Sequence, residues 1–495
     1  MNTKVSVPSE ACWRKWHIVS VFFLFCVIMV RPPIRYRWET MFSLYGQVLV
    51  LGIIALFLFY RGLRNRAEVN ILFAYAAWLL ITRWLNGDFF VWYDASILVS
   101  RLLCPVVLAV GLMMDAQGRR RFLNLLFAAI GIYFSVIAFF SLAACLTGSV
   151  IRLSNEAVFG LETYGQPGHI NYIECCGAHR NIVACWFYIA LNAMLYLFFS
   201  CRNKLWRIPT GFAIVLFYIG ITLCFCRSIC IATAGSAALL AILLAFRHLP
   251  LKRLWQKAGV IVLCAALVIP LFYKSYDLTA GMMSRVSSVI ISSTSSSTDS
   301  SPDTASPHSS LSEPSASDAK VGAVTAQGMD FSDPRDVLTN TTLTGRTDIW
   351  KAGFSALQAD PIRLLRGSLQ EEIVSYVRTF LPWDFGHMHN SYLEVLMLTG
   401  VIGLFLVVVF SLLLLVRMLH LFFTDDAKAR FADKLLVIPL AGMFVYSTVE
   451  VTFFVYLQEA PLSTEVREMF FFLTAGMVLG ISYDILPSLR RKKLR

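Results

Sequence analysis

The chain has 495 residues, of which 57% are hydrophobic and only 15% are charged. Soluble domains contain about 45–50% apolar and about 25% charged residues, so this composition excludes a soluble globular protein. The formal charge of +12 does not indicate a nucleic-acid partner, because the basic residues lie between apolar segments, as the orientation signals of membrane proteins do. The sequence therefore predicts a polytopic membrane protein embedded in a lipid bilayer.

Apolar segments long enough to cross a bilayer as helices, about 20 residues each, recur along the whole chain. We predict an all-α fold with about twelve transmembrane helices of this length. Their ranges are 16–30, 42–60, 69–85, 96–114, 122–146, 181–200, 206–225, 228–246, 258–273, 391–416, 435–454 and 468–486. The first segment is followed by Arg31 and Pro32 and has no small-residue cleavage pattern, so we expect an uncleaved anchor.

Basic residues concentrate in alternate loops, for example at 119–121 and 202–207, and in the C-terminal tail at 490–495. The positive-inside rule assigns those loops and both termini to the cytoplasm, which makes this a multi-pass protein of the cytoplasmic membrane. Arg35 and Arg37 depart from the rule, so the topology of the first two helices is the weakest part of this assignment. Most of the twelve cysteines lie in or beside apolar segments, which indicates helix packing rather than disulfides.

The predicted helices divide the chain into three parts. Helices 1 to 9 occupy 1–273, an external loop occupies 274–390, and helices 10 to 12 with a basic cytoplasmic tail occupy 391–495. Within the loop, 284–333 is predicted to be disordered, because its serine-rich composition buries too little apolar surface to offset chain entropy. Apolar residues at helical spacing then predict an amphipathic helix over 345–360, which would lie on the outer membrane surface or cover a cavity.

Cationic and titratable residues collect at helix ends on the predicted outer face. They are His179, Arg180, Arg227, Arg346, His387 and His389. Arg227 is the most informative by charge alone, because it lies between two apolar segments, where a guanidinium is costly unless it is paired or faces a polar cavity. The ordinary alternative is an arginine that reaches the membrane interface, or a solvated loop residue. Only a pattern that joins several of these residues favours a functional site.

Two segments supply such a pattern. Gly345-Arg346-Thr347-Asp348-Ile349-Trp350 lies in the external loop, and His389-Asn390 is followed after nine residues by Gly400-Val401-Ile402-Gly403 at the start of a predicted helix. These motifs resemble those of the O-antigen ligase and O-antigen polymerase family of membrane glycosyltransferases. The resemblance covers roughly 170–480 and is looser at 179–181 and 223–227, where Cys226 stands for the family's serine.

The resemblance implies a GT-C-like architecture and an enzyme. Its reaction would transfer a glycan from an undecaprenyl-diphosphate carrier to an acceptor hydroxyl of a glycan, lipid or protein, at the outer face of the cytoplasmic membrane, in surface polysaccharide biosynthesis in the cell envelope. His389 would be the catalytic general base. Arg227, Arg346 and Arg180 would bind the diphosphate, because guanidinium groups match phosphate oxygens bidentately. Supporting roles would fall to His387, Asn390, Glu394 and Glu450, and Gly400 and Gly403 would let helices approach closely.

The ordered outer loops contain no dense acidic motif of the kind that holds magnesium, so the sequence predicts transfer without a metal or another cofactor. Glu450 has a second interpretation as the structural partner of Arg101, another charge within an apolar segment. Three other functions stay open. They are a repeat-unit polymerase of the same family, a twelve-span transporter, and an assembly protein without activity. The transporter is disfavoured because the two halves are not similar and the largest loop is late and external.

Overall fold

A computed structural model describes most of the chain. The described residues are 66–86, 104–105, 107–112, 114–147, 151–152, 158–162, 172–175, 180–201, 203–249, 253–295, 346–368, 370–379, 381, 387–425, 429–452, 454 and 461–493. The predicted segments 16–30 and 42–60 and most of the serine-rich insert lie outside them. Of the predicted segment 96–114, residues 104–105 and 107–112 are described as helical.

The described part is almost entirely helical. Its helices are α1 (Ala67–Leu85), α2 (Ala116–Thr147), α3 (Arg180–Ser200), α4 (Arg207–Leu223), α5 (Arg227–His248), α6 (Leu254–Ser295), α7 (Arg346–Ala359), α8 (Pro361–Arg366), α9 (Gln370–Arg378), α10 (Ser391–Phe423), α11 (Phe431–Leu435), α12 (Val437–Ser447) and α13 (Pro461–Lys493). Seven candidate membrane spans lie in α2 to α6, α10 and α13, α4 being counted with the preceding turn. The chain is a polytopic membrane protein.

Three short strands depart from the prediction of an all-α fold. β1 (Ile151–Arg152), β2 (Val158–Glu162) and β3 (Tyr172–Cys175) form an antiparallel sheet in the order β1-β2-β3. In the register of β2 and β3, Phe159 pairs with Cys175 and Glu162 with Tyr172. Both strands contain the aromatic and aliphatic residues that favour extended structure. The sheet contacts α2 and α3.

Helix α3 lies at the centre of the bundle and contacts α2, α4, α5, α12 and α13. Its buried side chains include Phe187 and Tyr188. Two glycines explain how neighbouring helices come so close. A Cβ at Gly220 of α4 would lie 2.7 Å from the Phe187 ring, and one at Gly442 of α12 would lie 1.8 Å from the Tyr188 hydroxyl. The same hydroxyl is 2.8 Å from Ser236 Oγ of α5, so its polar end is satisfied inside the core.

Helices α7, α8 and α9 pack on the first turns of α10 and form a cap over this end of the bundle. The cap has its own small core, which we call the cap cluster. Its buried members are Ile349, Ala352, Ala356, Leu357, Ile373, Val377, Met388, Leu393, Leu396 and Met397. Helix α7 lies where the sequence predicts an amphipathic helix over 345–360. It buries Ile349, Ala352 and Leu357 in the cap cluster, whereas Phe354 on another side of the helix is exposed.

Helix α10 is interrupted at Gly400, whose φ of 67° and ψ of −172° are not helical. The interruption frees backbone carbonyls that other elements satisfy. Trp78 Nε1 donates to Thr399 O at 2.7 Å, and the Ser368 N–H donates to Met397 O at 2.9 Å. A Cβ at Gly400 would lie 2.2 Å from Leu365 O, so glycine is needed both for the backbone angle and for the contact with α8.

Two predicted boundaries are wrong. The segment predicted to span 435–454 ends as a helix at Ser447, because polar residues follow and the chain turns, with the Thr448 N–H donating to Val445 O. Helix α6, predicted to end at 273, continues to Ser295 and enters the segment predicted to be disordered from 284. Apolar residues persist among the serines at 286–291, which accounts for the longer helix.

The opposite end of the bundle is basic. It carries Arg119, Arg207, Arg247, Lys257, Arg417 and Lys434. There Glu68 is 1% exposed and accepts hydrogen bonds from the Tyr483 hydroxyl at 2.8 and 2.9 Å. Arg417 Nε lies 3.7 Å from the same carboxylate, and Arg119 pairs with Asp484. These ion pairs join α1, α2, α10 and α13 at the end of the molecule that is remote from the cap.

Candidate active site

Glu450 is the centre of a polar cluster beneath the cap. It lies in the turn after α12 and is 5% exposed. Its Oε1 is 3.3 Å from His389 Nδ1 and 3.7 Å from His387 Nε2. Its Oε2 is 3.3 Å from Asn181 Nδ2 and 3.5 Å from Arg346 Nη2. One carboxylate therefore joins residues from α3, α7 and the loop before α10.

The two histidines lie side by side, with ring centroids 4.0 Å apart. His387 Nδ1 accepts a hydrogen bond from the backbone N–H of His389 at 3.1 Å, so the neutral His387 ring carries its proton on Nε2, toward Glu450. His389 has φ of 49°, a left-handed conformation that side chains adopt only when the surroundings hold them there. Its side chain is 30% exposed, so part of its ring remains accessible.

Asn390 explains why this loop ends where it does. Its side-chain oxygen accepts from the backbone N–H groups of Tyr392 and Leu393, both at 3.0 Å, and so caps the N-terminus of α10. Its Nδ2 donates to Thr448 O at 2.8 Å, and Ser391 Oγ donates to Glu450 O at 3.1 Å. The start of α10 is thus tied directly to the turn that carries Glu450.

The surroundings of Glu450 and His387 determine the protonation states of these two side chains. Burial alone raises the pKa of the Glu450 carboxyl, but the hydrogen bond from His389 and the positive charges around it lower that pKa to about 2. Burial, helped by the charges of His389, Arg467 and Arg346, lowers the pKa of His387 to about 3. At neutral pH, Glu450 is an anion and His387 is a neutral hydrogen-bond donor.

Arginines surround this anion. Arg346 begins α7 and contacts Glu450 directly. Burial raises the pKa of the Cys226 thiol to about 11. The charges of Glu450, Arg180 and Arg346 have smaller effects on that pKa. The turn between α4 and α5, which carries Cys226, therefore lies near the cluster. Arg227 follows Cys226 as the first residue of α5, at the same end of the bundle. Arg467 of α13 is 3% exposed, and its charge acts on His387.

His387, His389 and Glu450 also have the residue types of a metal site, since their ligand atoms lie within 4.8 Å of one another. The electrostatics disfavour a divalent cation there. Arg346 already contacts the carboxylate, and the charge of Arg467 reaches His387. Positive charge next to these ligand atoms opposes the binding of a cation, and guanidinium groups are suited to an anion such as a phosphate.

Comparison with known families gives a match to part of the chain. The family model described as O-Antigen ligase matches residues 212–408 of the chain. The chain carries an O-antigen ligase domain. No curated protein and no solved structure gives a significant match to the chain. The domain runs from within α4 to within α10 and contains Arg227, Arg346 and His389, whereas Asn181 and Glu450 lie outside it.

The structure brings together several residues that the sequence singles out in and around the O-antigen ligase domain. His389, His387, Arg346 and Glu450 form one cluster. Asn390 and Glu394 do not enter it. Instead they hold the loop that carries the histidines. Arg101 lies outside the described residues, so its predicted pairing with Glu450 stays a prediction; the arginine described beside Glu450 is Arg346.

Two residues of the site were missed. Asn181 contacts Glu450; the sequence indicates it only as part of the looser match at 179–181, where Arg180 is the predicted binding residue. Arg467 is a buried charge beside the histidines. The signal for Arg467 was present, because it directly precedes the predicted helix 468–486, and a charge at the end of an apolar segment is informative.

Proposed function

We propose that this protein transfers a glycan from an undecaprenyl-diphosphate carrier to an acceptor hydroxyl, as an O-antigen ligase-type enzyme. The observation that carries the proposal is the pair of His389 and Glu450. With His389 Nδ1 3.3 Å from a buried carboxylate, the ring donates its Nδ1 proton to Glu450 and presents an unprotonated Nε2. A neutral imidazole held in this tautomer by a carboxylate can act as a general base through its free Nε2.

The reaction then follows from these positions. His389 Nε2 takes the proton of the acceptor hydroxyl as its oxygen attacks the anomeric carbon of the carrier-linked glycan. The bond between that carbon and the diphosphate oxygen breaks, and the electron pair leaves with the lipid diphosphate. The imidazolium that forms is stabilised by Glu450, and the glycan ends on the acceptor oxygen.

The arginines stabilise the leaving group. A diphosphate needs charge stabilisation more than it needs a proton, and the guanidinium of Arg346 presents several donors in a plane. Arg346 Nη2 lies 3.5 Å from Glu450 Oε2. The proposed diphosphate-binding group is therefore next to the carboxylate that orients His389, the proposed base. Arg180 and Arg227, at the same end of the bundle, are the further diphosphate-binding residues that we propose.

The remaining parts of the proposal concern metal and orientation. We propose transfer without a metal ion, in which the guanidinium groups of Arg346, Arg180 and Arg227 supply the positive charge that stabilises the diphosphate. We also propose about twelve membrane spans, both termini in the cytoplasm and a site open to the outer face. The basic residues at the end of the bundle remote from the cap support this orientation, because cytoplasmic loops are rich in arginine and lysine.

The test uses the purified protein in lipid vesicles, with a carrier-linked oligosaccharide and its acceptor. Wild type is expected to release the carrier diphosphate and to extend the acceptor, and His389→Ala to do neither. Retention of full transfer by folded His389→Ala protein contradicts the proposal. In cells that lack the gene, polymer that stays on the carrier indicates a ligase, and single repeats on the acceptor indicate a polymerase.

A further inference from the structure

Met388, between the two histidines, is held from three directions. Its side chain is 0% exposed and belongs to the cap cluster. Its backbone N–H donates to Glu394 Oε2 at 2.6 Å, and its carbonyl accepts from Trp350 Nε1 at 2.7 Å. An apolar residue that is buried between two polar site residues, with both backbone groups bonded to side chains, is a fixed point of the loop.

These bonds join the two helices on which the reacting groups depend. Trp350 lies one turn after Arg346 on α7, and Glu394 lies one turn after the start of α10. The carbonyl bond therefore ties the helix of the diphosphate-binding arginine to the histidine loop. The N–H bond ties the same loop to α10. The Met388 carbonyl and the His389 N–H belong to the same planar peptide group. Holding the Met388 carbonyl therefore also limits the backbone angles that His389 can adopt.

The left-handed conformation of His389 requires such support. A residue other than glycine at φ of 49° is strained by about 1–2 kcal/mol, so the loop would relax if its anchors were removed. Relaxation would turn the ring away from Glu450, to which it is joined by one hydrogen bond of 3.3 Å. The strain is thus offset by bonds whose donors and acceptors lie outside the motif His389-Asn390.

We propose that Trp350 and Glu394 are positioning residues for the transfer reaction. Through Met388 they set the distance and angle between His389, which takes the proton, and Arg346, which holds the diphosphate. Neither residue contacts the reacting atoms in this scheme. The inference rests on the proposed function and deepens it, because it explains how the base and the anion site, which come from different helices, keep one geometry.

The chain offers a matched control for Trp350. Trp78 Nε1 also donates to a backbone carbonyl at 2.7 Å, that of Thr399 of α10, away from the histidine loop. Trp350→Phe and Trp78→Phe each remove one indole N–H and keep an aromatic ring. We expect both variants to unfold at a lower temperature. Only Trp350→Phe is expected to lower kcat, by ~10-fold or more, with the KM for the carrier-linked donor within about threefold.

Glu394 is tested by a conservative pair. Glu394→Gln keeps a side-chain oxygen that accepts the Met388 N–H, whereas Glu394→Met keeps the length of the side chain without an acceptor. We expect kcat of the glutamine variant to stay within about threefold of wild type and kcat of the methionine variant to fall ~10-fold or more. A requirement for the carboxylate charge, seen as an equal loss in both variants, contradicts a positioning role for Glu394.

The experiment separates this inference from the proposed function. If His389→Ala is inactive but Trp350→Phe keeps the wild-type kcat, the proposed function stands and the positioning role of Trp350 is wrong. If Trp78→Phe and Trp350→Phe lose kcat equally, the effect is general destabilisation and the inference is again wrong. If His389→Ala transfers glycan at the wild-type rate, the proposed function itself fails. Should Glu394→Met not fold, the tryptophan pair still decides the matter.

Discussion

Replacement of Glu450 by glutamine tests the core of the proposed mechanism. The substitution keeps the size of the side chain and one oxygen, but it removes the negative charge that faces His389 and Arg346. At 3.3 Å, a full charge pair is worth about 5 kcal/mol at an effective dielectric constant of about 20. His389 is 30% exposed, so solvent screening reduces this to about 2–3 kcal/mol. That loss corresponds to roughly a 30- to 150-fold decrease in kcat.

The assay compares initial rates of glycan transfer by wild type, Glu450→Gln and Glu450→Asp at saturating donor, with the unfolding temperature of each protein measured in parallel. Glu450→Asp keeps the charge and is expected to lose less activity. Glu68→Gln is the matched control, because Glu68 is an equally buried carboxylate that contacts an arginine at the remote end of the bundle. A kcat for Glu450→Gln within threefold of wild type refutes the assigned role of the carboxylate.

Four further predictions follow from the same geometry. Arg346→Lys retains charge but not the planar donors, so kcat/KM for the carrier-linked donor should fall ~10- to 100-fold in a donor titration; an unchanged value excludes Arg346 from the diphosphate site. Because burial lowers the pKa of His387 to about 3, this ring should stay neutral in the neutral range, and His387→Gln should keep the shape of the wild-type profile of log kcat/KM against pH; a changed acid limb in the variant would show that His387 itself titrates there. Treatment with EDTA should leave the transfer rate unchanged, and restoration of a lost rate by Mg²⁺ or Mn²⁺ would contradict metal-independent transfer. Gly400→Ala should lower the free energy of unfolding by about 2 kcal/mol or more, because its Cβ would lie 2.2 Å from Leu365 O. The control Gly235→Ala should not lower it, because a Cβ there would have no atom within 4 Å. Equal denaturation midpoints for the two variants would argue against this account.

The sequence predicts most described helices because apolar composition and length are local properties. Helix α3 starts within one residue of the predicted 181 and ends at the predicted residue. The two wrong boundaries have different causes: the extension of α6 follows from local apolar residues, whereas the end of α12 has a nonlocal reason. The end of α12 at Ser447 depends on the polar cluster that draws Glu450 and its neighbours together. Hydropathy averaged over about 19 residues does not register a carboxylate that is satisfied by residues distant in the chain.

The candidate site was predictable where a motif carries it and not elsewhere. His389 and Arg346 stand in short motifs whose spacing is visible in the sequence. The central position of Glu450 was not visible, because its partners come from three separate segments of the chain. The same holds for Trp350, whose indole bonds a carbonyl 38 residues later. The apolar periodicity of α7 predicts that an aromatic residue such as Trp350 is buried, but it does not predict a hydrogen bond from the indole N–H.

The interruption at Gly400 divides α10 into two pieces that have different surroundings. The piece from Ser391 to Thr399 is anchored to the cap and to Trp78, whereas the remainder continues through the candidate membrane span. Lipids of different acyl-chain length change the tilt that a spanning helix adopts. Because the helix is already broken at Gly400, we expect a change of tilt in the lower piece to leave the piece that adjoins the histidine loop in place.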